Sequence, residues 1–185
     1  MALLILGVAL WAFAHFFKRL FPAKRAEIGD KAKGGVALAL LASIVAMVIG
    51  YRGAEFIPVY TPIPGIGHLN NLLMIPAIFL MGAGSAKGVV ASKIRHPMLS
   101  GVTVWAVAHL LVNGDVASII LFGGLGLWSL VQMYLINRAE GAWSRPVAGP
   151  ISKDVRVLIV TFVLYAVIAF IHNWLGYSPF QGTYG

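Results

Sequence analysis

The sequence is built from long apolar runs almost free of charge, and that feature restricts the fold more than any other. Residues 2–17, 36–51, 69–90, 97–112, 116–134 and 155–175 are such runs. A membrane-spanning helix needs about 17–25 mostly apolar residues, so the six read as spans, the first and fourth of them short. The first reaches Phe21 if Lys18 and Arg19 snorkel to the headgroups. It has no basic leader or small-residue cleavage site and reads as a retained helix. The chain is 59% hydrophobic and 11% charged, with a mean hydropathy of +0.87. Soluble domains run about 45–50% apolar and about 25% charged, and 185 residues cannot bury such a surplus. The expectation is an all-α polytopic bundle of about six spans, with residues 1–185 forming one integral-membrane domain in a lipid bilayer. A soluble enzyme and a disordered segment are both excluded.

The basic residues set the orientation. Lys18, Arg19, Lys24, Arg25, Lys31 and Lys33 lie between spans 1 and 2, and Lys87, Lys93 and Arg95 lie near the junction of spans 3 and 4. Arg138, Arg145, Lys153 and Arg156 lie between spans 5 and 6, leaving Arg52 alone on the other side. Cytoplasmic loops carry the excess of Lys and Arg, so both termini are expected outside. The net charge of +8 therefore reports topology, and no nucleic-acid partner is implied. The setting expected is the inner membrane of a bacterium.

The connections carry their own punctuation. Thr61-Pro62-Ile63-Pro64-Gly65 reads as a rigid outer loop, and Asn113-Gly114-Asp115 as a turn in which Gly114 ends span 4 and Asp115 caps span 5. Pro76 predicts a kink in span 3. Gly123, Gly124 and Gly126 offer a small surface for helix packing.

Few residues are available for chemistry. Without cysteine there is no disulfide, zinc-thiolate or iron–sulfur site, and no covalent haem attachment. The six carboxylates avoid the middles of the spans, which argues against paired-acid catalysis. Histidine is the informative residue, because an ionisable group within a span is costly and so a functional candidate. His15, His68, His96, His109 and His172 all lie in spans or at their starts. Spacing by four aligns Gly101, Trp105, His109 and Asn113 along span 4, and Gly7, Trp11, His15 and Arg19 along span 1. A glycine, a flat aromatic and an imidazole in one row suit a planar macrocycle; they suit hydrogen-bonded packing equally well. Arg95-His96-Pro97 reads as an interfacial start to span 4, or as a contact for a phosphate or carboxylate.

The stretch from Arg95-His96-Pro97 through Gly101, Trp105 and His109 to Asn113-Gly114-Asp115 resembles the signature of the NnrU family. That bacterial membrane family is associated with denitrification and shares its domain with 15-cis-zeta-carotene isomerase. The similarity extends to the first span with His15, to Pro64–His68, and to the last span with His172. The resemblance implies non-covalent haem b with His109 and, more loosely, His15 as iron ligands. Trp105 and Arg95 would complete the cofactor site, Arg95 or Arg19 meeting a propionate. It also implies a redox-linked isomerase or oxidoreductase that acts on a lipophilic small molecule, together with a membrane redox partner. Depth along the helices instead pairs His109 with His172 or His68, since His109 lies about 18 Å from the inner start of its span. The alternatives are a non-catalytic subunit or assembly factor of a respiratory or nitrogen-oxide system and, on the strength of Arg95-His96-Pro97, a lipid methyltransferase.

The charge asymmetry makes a direct prediction. Cysteines replacing Ala2 and Gly185 should both react with an impermeant thiol reagent added to the outer side of intact cells. Reaction of either one only after the membrane is broken overturns the orientation.

Overall fold

The computed structural model describes residues 1–180, which leaves the position of Gly185 outside the described residues. Those residues form helices joined by short connections, with no named strand. In chain order they are α1 (Ala2–Leu20), α2 (Pro22–Ile28), α3 (Lys31–Arg52), α4 (Ile66–Ala86), α5 (Pro97–Val112), α6 (Val116–Glu140) and α7 (Ile151–Trp174). Five of them are long and apolar enough to cross a bilayer, and α5 is a shorter apolar helix of 16 residues.

Each apolar run maps onto one of these helices, but the ends differ from the sequence pattern: run 69–90 outlasts α4 by four residues and run 155–175 outlasts α7 by one. Helix α1 carries Lys18 and Arg19 inside its last turn, and α3 begins five residues before its apolar run. Between them α2, with Pro22 in its first turn and no buried residue, is an element that hydropathy alone misses. Helix α4 stops at Ala86 because Lys87 takes a left-handed conformation, φ 54°. The chain then makes a 3-10 turn over Val90–Ser92. Asp154, buried in the first turn of α7, holds that turn: its Oδ2 accepts from the Val89 N–H at 2.7 Å and the Val90 N–H at 3.3 Å.

The outer connections follow the punctuation. Asp115 caps α6, its Oδ1 accepting from the Ser118 N–H at 3.0 Å. Gly114 lies just beyond the end of α5, and its carbonyl accepts from Val59 and Tyr60 N–H. A side chain at Gly114 would collide with the Tyr60 carbonyl, so glycine is required there for close approach of two backbones.

Small residues set the packing. Helix α1 lies antiparallel against α3, where a Cβ at Gly7 would come 2.8 Å from the Met47 nitrogen and one at Gly50 would strike the Leu4 backbone. Helices α4 and α5 form the other close pair, with Gly101 against the Ala77 carbonyl and the Met81 nitrogen. Helix α6 joins the two pairs: Gly124 receives Val8 of α1, and Gly126 receives Ala106 of α5. Thr103 and Ser129 hydrogen-bond across the α5–α6 contact at 2.8 Å. Helix α7 packs on α4 and is mostly exposed. Apolar helices gain little from each other in lipid, so contact at backbone distance is what holds them together.

This packing is testable in detergent. Gly50→Leu should lower stability by about 1–3 kcal/mol through overpacking. Gly34→Ala, which faces open space on the same helix, should raise it by up to about 1 kcal/mol through helix propensity. Thermal melts followed by circular dichroism read both, and a neutral Gly50→Leu refutes the close contact.

Candidate functional site

Three of the five histidines are held in one repeated way. The Nδ1 of His109 lies 2.9 Å from the Trp105 carbonyl, that of His15 lies 2.9 Å from the Trp11 carbonyl, and that of His172 lies 2.8 Å from the Ile168 carbonyl. A carbonyl only accepts, so Nδ1 carries the proton and Nε2 keeps a bare lone pair. That is the tautomer of an imidazole ready to ligate a metal or accept a proton.

One site is built on His109. Its ring stacks on Phe122 of α6 with centroids 4.5 Å apart and contacts Trp105 at 5.0 Å. Trp105 meets Phe122 edge-on at 5.1 Å, and Tyr51 of α3 reaches the same phenyl ring at 6.2 Å. Phe122 sits in a π-helical stretch, Ile119–Gly123, and such stretches concentrate at functional sites. Trp105 also lines a mainly apolar groove of about 280 Å³, together with Ile44, Met47, Val48, Tyr51 and Arg52 of α3 and Leu121 of α6. A larger apolar cavity of about 450 Å³ lies between α4 and α7, but no histidine lines it.

A second site is built on His15. Its ring contacts Trp11 at 4.4 Å and Trp128 of α6 at 4.6 Å, and the two indoles meet edge-on at 5.4 Å. The buried Trp11 Nε1, Trp128 Nε1 and, one turn along α6, Gln132 Oε1 all lack hydrogen-bond partners. A turn beyond His15, Arg19 donates to Glu140 Oε1 at 2.7 Å. Arg95 reaches the same carboxylate at 3.9 Å and donates to the Gly141 carbonyl at 2.8 Å.

The residues expected to share one site therefore fall at two levels. His109 and Trp105 lie at Phe122; His15 and, toward the α6 terminus, Arg95 lie at or below Trp128. Six residues of α6 separate the two levels, about 9 Å of helix rise. The two rows of glycine, tryptophan and histidine do not form a single cradle either. Each step of four residues turns about 40° around the helix. Gly7 and Gly101 consequently face α3 and α4, while the histidines eight residues on meet side chains of α6. His68 and His172 are both exposed, in the first turn of α4 and the last turn of α7. Sequence reasoning missed Phe122, Trp128 and Gln132, since span 5 drew attention only through its glycines.

Against this geometry, a family model described as NnrU protein matches residues 3–179. The chain belongs to the NnrU family. The match takes in both histidine levels and all the long apolar helices. No curated protein and no solved structure matches the chain significantly.

The NnrU signature also contains His96, whose Nε2 lies 2.8 Å from Asn137 Oδ1 where α5 begins. This contact ties α5 to α6. Glutamine can replace it, so His96→Gln should change stability by no more than about 0.5 kcal/mol and leave any haem absorbance of the protein intact. Loss of that absorbance with the fold retained would make His96 a ligand.

Proposed function

We propose that this NnrU-family protein is a haem b membrane protein of the inner bacterial membrane, with six spans and both termini outside. In this reading it performs redox-linked isomerisation or oxidoreduction of a lipophilic molecule that enters from the bilayer. The observation that carries it is His109: a mostly shielded imidazole on an aromatic bed, its Nδ1–H held by Trp105 and its Nε2 free, near a mainly apolar groove. Among the described residues no three histidine or carboxylate side chains converge on a point. A metal held by side chains alone would need such a set, whereas a haem brings four nitrogens of its own and asks one or two histidines of the protein. The residues present fit that demand.

His109 would hold the iron through Nε2, and its hydrogen bond to the Trp105 carbonyl fixes the ring and raises its basicity. Bound haem supplies one-electron redox chemistry at the site. Trp105 contacts His109 and lines the groove, whose mainly apolar walls suit a hydrocarbon chain and exclude water. For the second ligand, family resemblance names His15, and depth names His172 or His68. The unpaired Trp11, Trp128 and Gln132 atoms around His15 support a polar occupant there, which keeps His15 in the test. Arg95 lies at the opposite end of α5 from His109, about 18–20 Å of rise away, so a propionate contact from Arg95 goes with a haem held near His15.

A reduced-minus-oxidised spectrum of the purified protein should show a b-type haem, and His109→Ala should abolish it. A six-coordinate low-spin signal that survives His15→Ala but turns high-spin in His172→Ala or His68→Ala assigns the second ligand by depth; the reverse assigns it to His15. Protein purified from haem-replete cells with no haem in any form refutes the reading and favours a non-catalytic assembly role.

A further inference from the structure

At the inner end of the bundle, charge is left uncompensated. Arg19 in the last turn of α1 and Arg95 just before α5 converge on one carboxylate, Glu140, the last residue of α6. Their side chains are only 22% and 19% exposed, against 51% for Glu140. Two largely desolvated guanidiniums therefore share one half-exposed anion. Arg19 meets Glu140, and Arg95 meets Glu140 and the Gly141 carbonyl. Each guanidinium offers five N–H donors, so most of this fork capacity is unspent. The neighbouring Lys18 and Arg138 are exposed and add positive potential, and His96 is engaged with Asn137. A shielded charge without a counter-charge is costly, and among the described residues no second carboxylate contacts either arginine.

We infer that Arg19 and Arg95 form a receptor for a phosphate oxyanion at the cytoplasmic face, with Glu140 as an internal counter-ion that partly occupies it. Arginine matches phosphate bidentately, and in the orientation proposed above both arginines lie where anionic headgroups of the inner leaflet are found. The phosphate comes either from such a lipid or from solution. The site ties together α1, α5 and α6, the three helices that carry His15 and His109 and the rings that pack on them. Its existence does not depend on haem.

The test is thermal unfolding of the purified protein in a neutral maltoside detergent, with added phosphatidylglycerol, phosphatidylcholine or inorganic phosphate. Phosphatidylglycerol should raise Tm and phosphatidylcholine should not. Glu140→Gln, which removes the internal competitor, should enlarge the rise; an ordinary structural ion pair would merely be lost. Arg19→Gln/Arg95→Gln should remove the response, and if that protein does not fold, Arg95→Lys, which keeps the charge but not the fork, should reduce it. An equal rise with inorganic phosphate identifies the free anion as the source, and a rise with phosphatidylglycerol alone identifies the lipid. Equal responses to both lipids, or an unchanged response in Glu140→Gln and in the arginine variants, overturn the inference.

Discussion

Within hydrocarbon there is no water to satisfy a polar group, so each one must be answered by the protein. Three histidines meet this demand on their own helices, each giving its Nδ1 proton to the carbonyl four residues back. That local bond fixes the tautomer and turns the lone pair of Nε2 away from the helix backbone. The chemistry available to this membrane protein follows from that arrangement. The same rule governs Ser118, which donates to Asp115 and so accepts from the Tyr51 hydroxyl, pinning α3 to the outer end of α6.

Helix α6 is the element that gives these imidazoles their surroundings. It receives α1 on Gly124 and α5 on Gly126, and it presents Phe122 to His109 and Trp128 to His15. The π turn over Ile119–Gly123 changes the angular phase of the helix between its outer and inner halves. The molecule thus has one imidazole level at Phe122, near an apolar groove, and another at Trp128, toward the Arg19–Glu140–Arg95 cluster. Their separation is a property of α6 and of the residue spacing along it, and it bears on whether one planar group can engage both histidines.

Much of the fold was legible because the bilayer imposes a simple code. Apolar runs of sufficient length gave the helices, and Asn113-Gly114-Asp115 gave the turn and the cap that are found. Hydropathy could not show α2, which is polar and short, nor the stop at Lys87, which depends on Asp154 sixty-seven residues later. The glycines of span 5 were legible as a packing surface, and two of the three serve as one.

The site was legible only in part. The sequence by itself determined that histidine is the ionisable residue set within the spans, that Trp105 precedes His109 by one helical turn, and that Arg95 and His96 stand at the start of the same helix. These are local facts, set by composition and by the period of 3.6 residues. Tertiary structure decided which ring lies under each imidazole, that Trp11 and Trp128 leave indole N–H groups unpaired, and that Arg19 and Arg95 meet at Glu140. Those contacts join residues 13 to 121 positions apart, and only the backbone approach allowed by Gly7, Gly50, Gly101, Gly124 and Gly126 brings their helices together.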